Sequence, residues 1–394
     1  MSNVASEKVE GPAPIKAVSS VREDGMSMTR TPVKGIVGKK LIPPRWTVRA
    51  AMALRRGLQR IADGLTPPEV LVMEHMSVLG KPIAIAIATQ KGIPDALANR
   101  GPLTAAELAP IVGANADILH RMLRYLSCFD VFEIDREGRF SSTRVSSQLK
   151  KEGVMHNAAR LLGGNLNVTL WADLERTLQS GQSAFERLYG PVWPSFASNP
   201  NEGIAFVNGM ASMTAMEAPV IAAAFPYGRF AVLCDVGGGS GILLVCILTR
   251  FPKLRAMLVD HEATLAHARD YLTDAGVLQR VELLVGDFFQ TVPLGADAYM
   301  LKDILHDWTD EQCCRILKTI RSAMREGTTL LHETLAEIDS LGPAAIMDSQ
   351  MALTNGGRNR GAAEFRDLLG RCGFRLERIT RLLVPTSILE AVAV

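Results

Sequence analysis

The spacing of hydrophobic and polar residues changes along the chain near residue 226. Between about residues 45 and 225, apolar residues recur mainly at helical intervals, which predicts helices. After this region, short apolar runs alternate with glycine-rich turns and helical segments, which predicts a parallel, doubly wound sheet. Strands are predicted in FAVLCDV, RAMLVD, VELLV, ADAYMLK and GTTLLHETL. We therefore expect an α/β fold whose ligand lies beyond the carboxyl ends of these strands.

A smaller, mainly helical module is predicted within residues 45–150. Thr104 and Gly113 are the expected caps of one short helix, and ANADILHRMLRYLS predicts a second. The run FEIDREGRFSST predicts a hairpin that turns at Gly138. Together these elements outline a winged helix, a module that can bind DNA. The second helix has few basic side chains, so DNA binding is the less favoured interpretation.

The segments before and after the winged-helix elements lack strand patterns. Residues 1–44 are polar and rich in Gly, Pro and Ser, which predicts a disordered tail. Residues 45–65 predict a basic amphipathic helix, which can lie on a membrane surface or pack against protein. We favour packing on this chain or a second subunit, because nothing else in the sequence indicates lipid. Residues 151–225 predict a helical linker that contributes to a substrate pocket, and residues 226–394 form the sheet domain.

Composition narrows the possible functions. The chain has 394 residues and a formal net charge of +2, so it lacks an overall polyanion-binding signature. Its six cysteines show neither metal-ligand nor disulfide-framework spacing, which indicates reduced thiols in a cytoplasmic protein. We expect no membrane-spanning run, no signal peptide and no metal site.

A glycine-rich turn follows the first strand of the sheet domain. In DVGGGSG the backbone can approach a ligand closely, because glycine has no Cβ. The dinucleotide pattern G-x-G-x-x-G is incomplete, since Ile242 takes the last glycine position. The turn is therefore less suited to a pyrophosphate. The residues of this turn that we assign to the cofactor are Asp235, Gly237, Gly239 and Gly241.

Two acidic residues complete this candidate site. Asp260 ends the second strand and can accept hydrogen bonds from ribose hydroxyls. Asp287 ends the third strand beside Phe288, where the carboxylate can accept from an adenine amine while the ring packs on the base. A turn-capping role is the alternative for Asp287. Together these features describe a nucleoside without phosphates, and S-adenosylmethionine fits best.

These residues resemble a known family. The segments DVGGGSG, GDFF, LKDILHDWTDEQC, GGRNRGAAEF and TSILEAVAV are similar to those of the small-molecule O-methyltransferases of the plant caffeic acid and bacterial polyketide type. The resemblance covers about residues 67–394 and implies a Rossmann-like methyltransferase domain. It implies that the winged-helix module pairs two subunits into a homodimer. It also implies cofactor contacts by Gly237, Asp260, Asp287, Phe288 and Lys302.

His306, in LKDILHDW, is the candidate general base. Thr309 and Gln312 predict a capping box for the next helix, which places His306 on the crevice side just before it. A neutral imidazole can take the proton of a phenol as its oxygen attacks the methyl group. A structural role is the common alternative for a lone histidine. Metal binding has little support, since no second ligand stands at suitable spacing.

The resemblance implies that two acids flank this base. Glu333 occupies one of these positions, and Asp307 adjoins the histidine. The second family acid is replaced by Asn359 in GGRNRG, which can orient an imidazole through its amide oxygen but cannot offset its charge. Some relatives of this family perform decarboxylation or hydroxylation instead, and Asn359 favours such a change. We nevertheless favour methyl transfer.

The expected acceptor is a hydroxylated aromatic or polyketide-like secondary metabolite. Aromatic and methionine side chains at helical spacing are usually core, but here they can also form the wall of a pocket for a flat molecule. A nitrogen or carboxylate acceptor remains open, and a winged-helix regulator that senses the adenosyl ligand is a rival. The residues assigned to this wall are Trp171, Phe206, Met210, Met213, Met347, Met351 and Asn355.

Overall fold

The computed structural model describes residues 16–17, 45–334 and 342–394. The predicted disordered tail, residues 1–44, thus lies outside the described residues except for one short strand. That strand, β1 (Lys16–Ala17), pairs antiparallel with Leu284 and Val285 of the main sheet.

The N-terminal module contains six helices and a small sheet among the described residues. The helices are α1 (Arg45–Leu65), α2 (Pro68–Ser77), α3 (Gly80–Gln90), α4 (Ile93–Arg100), α5 (Ala105–Val112) and α6 (Ala116–Ser127). The strands β2 (Leu103–Thr104), β3 (Phe132–Ile134) and β4 (Arg139–Ser142) pair in the order β2-β4-β3. Thr104 forms a capping box with Glu107, and Gly113 ends α5 in the left-handed region, as predicted.

A helical linker connects this module to the main sheet. Its helices are α7 (His156–Leu162), α8 (Asn165–Ala172), α9 (Leu174–Ser180), α10 (Ala184–Tyr189), α11 (Val192–Ser198) and α12 (Pro200–Ala224). The long helix α12 packs against both α7 and the first helix of the sheet domain. It therefore joins the linker to the domain that carries the predicted cofactor residues.

Five parallel strands form the centre of the main sheet. They are β5 (Val232–Val236), β6 (Arg255–Asp260), β7 (Val281–Val285), β8 (Ala298–Lys302) and β9 (Thr329–Thr334). Two further strands, β10 (Phe374–Arg381) and β11 (Ser387–Ala393), complete the order β1-β7-β6-β5-β8-β9-β11-β10. The α/β prediction is confirmed, but the sheet is mixed, because β1, β10 and β11 run antiparallel to their neighbours.

Helices cover both faces of this sheet. They are α13 (Ile242–Arg250), α14 (Glu262–Asp274), α15 (Asp310–Ala323), α16 (Pro343–Thr354) and α17 (Ala362–Arg371). One buried apolar cluster joins α12, α13 and α14 to the sheet, and a second joins α15 and α17. The chain crosses from one side of β5 to the other between β7 and β8, so a crevice is expected at the carboxyl ends of β5 and β8.

Two helical stretches are long and apolar enough to cross a membrane by length and composition, which corrects the expectation that no run has the required length. One is α12 (Pro200–Ala224), which packs within the protein. The other, Pro68–Gln90, comprises α2 and α3. Core helices of soluble proteins meet the same criterion, so these stretches are weak evidence for membrane insertion.

Candidate functional site

The glycine loop after β5 is closely packed by its neighbours at Gly237 and Gly238. Gly237 has a φ of 71°, and a Cβ there would lie 2.5 Å from Cδ1 of Ile304. A Cβ on Gly238 would lie 2.5 Å from Oδ2 of the buried Asp235, which sits beneath the loop. Gly239 and Gly241 also have positive φ values, of 59° and 73°. The loop therefore requires glycine both for its backbone and for the close approach of neighbouring groups.

Asp260 fixes this loop to the end of β6. Its Oδ2 accepts a hydrogen bond of 2.9 Å from the Gly239 amide, and its Oδ1 accepts one of 2.7 Å from the His261 amide. Burial raises the pKa of Asp260, while these backbone donors act to lower it. Each carboxylate oxygen has a second lone pair, so Asp260 can still accept from a ribose hydroxyl.

Asp287 follows β7 and caps the turn after it. Its Oδ1 accepts from the Phe289 amide at 2.9 Å, and its Oδ2 accepts from Nε2 of Gln290 at 3.0 Å. The turn-capping alternative is thus present in the structure, although spare lone pairs remain on both oxygens. The neighbouring Phe288 ring lies close to the Gly237 backbone, where a Cβ would be 3.5 Å from its Cε1.

Aromatic rings connect the linker to the cofactor strands. We call Trp193, Phe206, Phe288, Phe289 and Trp308 the aromatic group. Trp308 lies edge-on to Phe289 with centroids 4.7 Å apart, and 6.2 Å from Trp193 in a tilted arrangement. Trp193 in turn contacts Phe206 of α12 at 6.0 Å. The predicted pocket residue Phe206 is therefore linked by rings to the residue that follows His306 and Asp307.

His306 lies in a short 3-10 turn, Leu305–Asp307, between β8 and α15. It is 5% exposed, and its Nε2 lies 3.3 Å from Oδ1 of Asp307. Its Nδ1 is buried without a hydrogen-bond partner among the described residues. Thr309 and Gln312 form the predicted capping box at the start of α15, which fixes the helix just beyond this turn.

Asp307 is a buried acid with two neighbours on one oxygen. Asn355, at the end of α16, donates its amide to the same Oδ1 that lies beside His306. Burial raises the pKa of Asp307 to about 6, although His306 and the Asn355 hydrogen bond act to lower it. Asn355 was predicted as a pocket residue, and its contact with Asp307 brings it beside the candidate base.

The two acid positions implied by the family are occupied differently. The side chain of Glu333 lies outside the described residues, so its contact with His306 stays a prediction. Asn359 is 2% exposed and donates Nδ2 to the carbonyl of Ala344 at 2.9 Å. Its Oδ1 has no partner among the described residues, so the predicted hydrogen bond from His306 is not present. The hydrogen bond from Nδ2 to the Ala344 carbonyl fixes the orientation of this amide.

A buried ionic group lies where β8 ends, and no sequence signal predicted that Glu217 belongs to it. Lys302 lies 3.5 Å from the carboxylate of Glu217 on α12 and forms an ion pair with Asp303. Burial raises the pKa of Glu217. Burial also acts to raise the pKa of Asp303, but Lys302, His306 and His332 together outweigh burial and the pKa is lowered. The predicted cofactor residue Lys302 is therefore positioned by an acid from the linker.

Arg360 is a further residue that the sequence analysis did not assign to the site. Its side chain is 1% exposed and contacts the backbone on both sides of His306 and Asp307. In the segment GGRNRG, Asn359 was the predicted site residue, but Arg360 makes the direct contacts with this turn.

The remaining predicted pocket residues lie on three helices of the linker and sheet domain. Met210 and Met213 are half-buried on α12, and Met347 and Met351 lie on α16. Trp171, on α8, is 40% exposed and donates Nε1 to Gln350 of α16 at 2.9 Å. Trp171 is thus held at the edge of the α16 surface rather than enclosed.

Comparison with known proteins identifies two matching sequence families. The model of an O-methyltransferase domain matches residues 171–375, and that of an O-methyltransferase dimerisation domain matches residues 73–152. The mitomycin biosynthesis 6-O-methyltransferase of Streptomyces lavendulae is 33% identical over 300 residues, which cover 75% of this chain and 86% of that protein.

Solved structures agree with these matches. The crystal structure of LaPhzM has a TM-score of 0.80 and 30% identity, covering 84% of this chain and 100% of that one. The O-methyltransferase NcsB1 of neocarzinostatin biosynthesis has a TM-score of 0.69 and 29% identity, covering 80% of this chain and 97% of that one. It was solved with S-adenosylmethionine and 2-hydroxy-5-methyl naphthoic acid.

Proposed function

Because the chain belongs to the family of S-adenosylmethionine-dependent O-methyltransferases, we propose that it methylates a hydroxyl group of a small, flat aromatic molecule, with His306 as the general base. The observation that carries this proposal is the buried environment of His306. It is buried two residues before Trp308 of the aromatic group, with Nε2 next to Asp307 and Nδ1 unpartnered among the described residues.

The residues at the strand ends fit the cofactor. The glycine loop presents bare backbone that the adenosyl group can approach closely, and Asp260 and Asp287 retain lone pairs for its ribose and adenine. Phe288 offers a ring face for the base. S-adenosylmethionine supplies a methyl group already activated on a sulfonium. The chain has then to position the acceptor, remove its proton and exclude water.

Proton removal is assigned to His306 and supported by Asp307. As the acceptor oxygen attacks, its proton passes to the imidazole, which becomes positively charged. Asp307, 3.3 Å from Nε2, stabilises this charge when it is ionised. Since burial raises the pKa of Asp307 to about 6, the stabilising charge is present at neutral pH and is lost as the pH falls below that value.

The acceptor is proposed to lie between the aromatic group and the methionines of α12 and α16. Trp193 and Trp308 provide ring faces, and flexible methionines adapt to the outline of a flat molecule. NcsB1 was solved with a hydroxynaphthoic acid, which is the class of ligand that such a wall favours. A hydroxylated bicyclic aromatic is therefore the first acceptor to test.

The test is transfer of labelled methyl from S-adenosylmethionine to 2-hydroxy-5-methyl naphthoic acid and related hydroxynaphthoates. We expect His306→Ala to retain cofactor affinity and to lose about a hundred- to ten-thousand-fold in turnover. His156→Asn is the matched control, because His156 is also 5% exposed but lies at the start of α7. Turnover unchanged in His306→Ala would refute the base assignment. Cofactor binding without methyl transfer to any acceptor would favour decarboxylation or hydroxylation.

We also propose that two copies pair through the N-terminal module in the cytoplasm. Helix α2 has no buried residue, and Met73, Met76 and Leu79 are 65%, 67% and 76% exposed. Helix α1 presents Leu54, Leu58, Ile61 and Leu65 on one exposed face, at alternating intervals of four and three. The dimerisation-domain match starts within α2, so a second copy is the favoured partner of these surfaces.

Equilibrium sedimentation of the wild type and of Met76→Glu tests this pairing. We expect a dimer that the substitution weakens, with Arg56→Glu on the opposite face of α1 as the control. A stable wild-type monomer would contradict the proposal. Binding to anionic vesicles that requires residues 45–65 would instead favour a membrane surface as the partner of α1.

A further inference from the structure

We propose that Arg360 is a positioning residue that holds the backbone turn bearing His306 in its working orientation; the inference rests on the proposed role of His306. The guanidinium donates Nη1 to the Leu305 carbonyl at 2.7 Å and Nη2 to the Trp308 carbonyl at 2.8 Å. These carbonyls stand directly before His306 and directly after Asp307. One buried cation therefore binds the backbone on both sides of the pair.

A third bond ties the same guanidinium to the helix that follows. Nε donates to Oδ1 of Asp310 at 2.9 Å, and Asp310 is the first residue of α15. The guanidinium is planar and its donors keep fixed directions, so the three acceptors are held relative to one another. The turn itself has only three residues, so its geometry depends on donors from outside it.

Close packing by a neighbouring residue supports this reading independently. Gly357 lies so near the turn that a Cβ there would be 2.0 Å from the carbonyl oxygen of His306 and 2.6 Å from the carbonyl carbon of Asp307. The segment 357–360 thus restrains the turn by contact at one end and by hydrogen bonds at the other. A shift of this segment would move the His306 backbone directly.

The orientation of His306 is important because one ring nitrogen must reach the acceptor proton while Nε2 stays beside Asp307. A displacement of about 1 Å can lower turnover about a hundred-fold. Lysine retains the positive charge of Arg360 but has a single ammonium in place of the planar fork, so it cannot bond all three acceptors in the same geometry. Arg360→Lys therefore removes the three-point hydrogen bonding of the turn while it keeps the positive charge.

The first readout is the ring signal of His306 in protein labelled with ¹³C-histidine, identified as the signal missing from His306→Asn. It requires no acceptor, so it is independent of whether methyl transfer is detected. We expect Arg360→Lys to shift or split this signal. Arg280→Lys is the matched control, because Arg280 also donates to several carbonyls, among them those of Leu248 and Phe251, but precedes β7 at the opposite end of the sheet.

Chemical rescue is the second readout. In Arg360→Ala, added methylguanidinium should restore the wild-type His306 signal, and methylammonium should not. With any acceptor that the wild type methylates, Arg360→Lys should lower kcat about a hundred-fold and leave cofactor affinity within about two-fold. Should the Arg360 variants not fold, Asp310→Asn removes the charge that anchors Nε, and it should shift the same signal by a smaller amount.

The possible outcomes separate this inference from the proposed function. An unchanged His306 signal and unchanged kcat in Arg360→Lys would overturn the positioning role, while loss of turnover in His306→Ala would still support the base. A changed signal that methylguanidinium does not restore would mean that Arg360 acts only through general stability, which also overturns the inference. A signal moved by Arg360→Lys, left intact by Arg280→Lys and restored by methylguanidinium supports it.

Discussion

Replacement of Asp307 by asparagine should stabilise the fold while it slows catalysis. The carboxylate is 12% exposed at its side chain, and its pKa rises from 3.8 to about 6 because burial disfavours its charge. A difference of roughly two pKa units corresponds to about 3 kcal/mol of unfolding free energy. Asparagine is close in shape, carries no charge and can still accept the hydrogen bond from Asn355.

The sign of the effect depends on pH. Above about pH 6 the carboxylate is ionised in both states, so folding bears the full cost of burying it, and Asp307→Asn should be more stable by up to about 3 kcal/mol. As the pH falls from about 6 towards 3.8, the folded state binds a proton that the unfolded state does not. The wild type then gains stability, and the difference between the two proteins should disappear.

Urea unfolding at about pH 8 and about pH 5, at one fixed protein concentration, measures this difference. Asp367→Asn is the control, since Asp367 is 69% exposed and its neutralisation should change stability little at either pH. Turnover of Asp307→Asn should fall at neutral pH, because no charge remains beside Nε2 of His306. A variant that is less stable than the wild type at about pH 8, or a difference independent of pH, would refute the reasoning.

Two further substitutions test the walls of the site. Gly237→Ala should abolish cofactor binding in a calorimetric titration, because its Cβ would lie 2.5 Å from Ile304 at a φ of 71°; Gly276→Ala, at a φ of 67° with open space around it, is the control for backbone strain and should still bind. Asn359→Glu should destabilise the protein by about 1–3 kcal/mol in urea unfolding without raising turnover, because it removes the donor to Ala344 and buries a new carboxylate. A gain in turnover would contradict that account.

Local sequence signals predicted the parts of the site that depend on short segments. The glycine loop, the acids at the ends of β6 and β7, and the capping box after His306 each follow from a few adjacent residues. The strand–helix alternation likewise predicted the five parallel strands. The antiparallel pair β10 and β11 was missed, because it lies outside that alternation and β10 is only partly buried.

Contacts between distant segments could not be predicted in this way. Arg360 binds Leu305 across 55 positions, and Lys302 binds Glu217 from a helix of the linker. Neither pairing leaves a periodic signal, since each depends on how the helices pack on the sheet. Asn359 illustrates the converse. Its family position predicted a contact between Oδ1 and His306, whereas Oδ1 has no partner among the described residues and Nδ2 donates to the carbonyl of Ala344.

With Asn359 in place of the family acid, His306 still has a negative charge beside it. Asp307 already lies 3.3 Å from Nε2, and the charge of His306 acts to lower the pKa of both Asp303 and Asp307. Lys302 balances Asp303, whereas the hydrogen bond that Asp307 receives from Asn355 comes from a neutral amide. A further carboxylate would raise the pKa of Asp307 and neutralise it closer to physiological pH. An amide at position 359 is thus compatible with keeping Asp307 ionised when His306 takes up a proton.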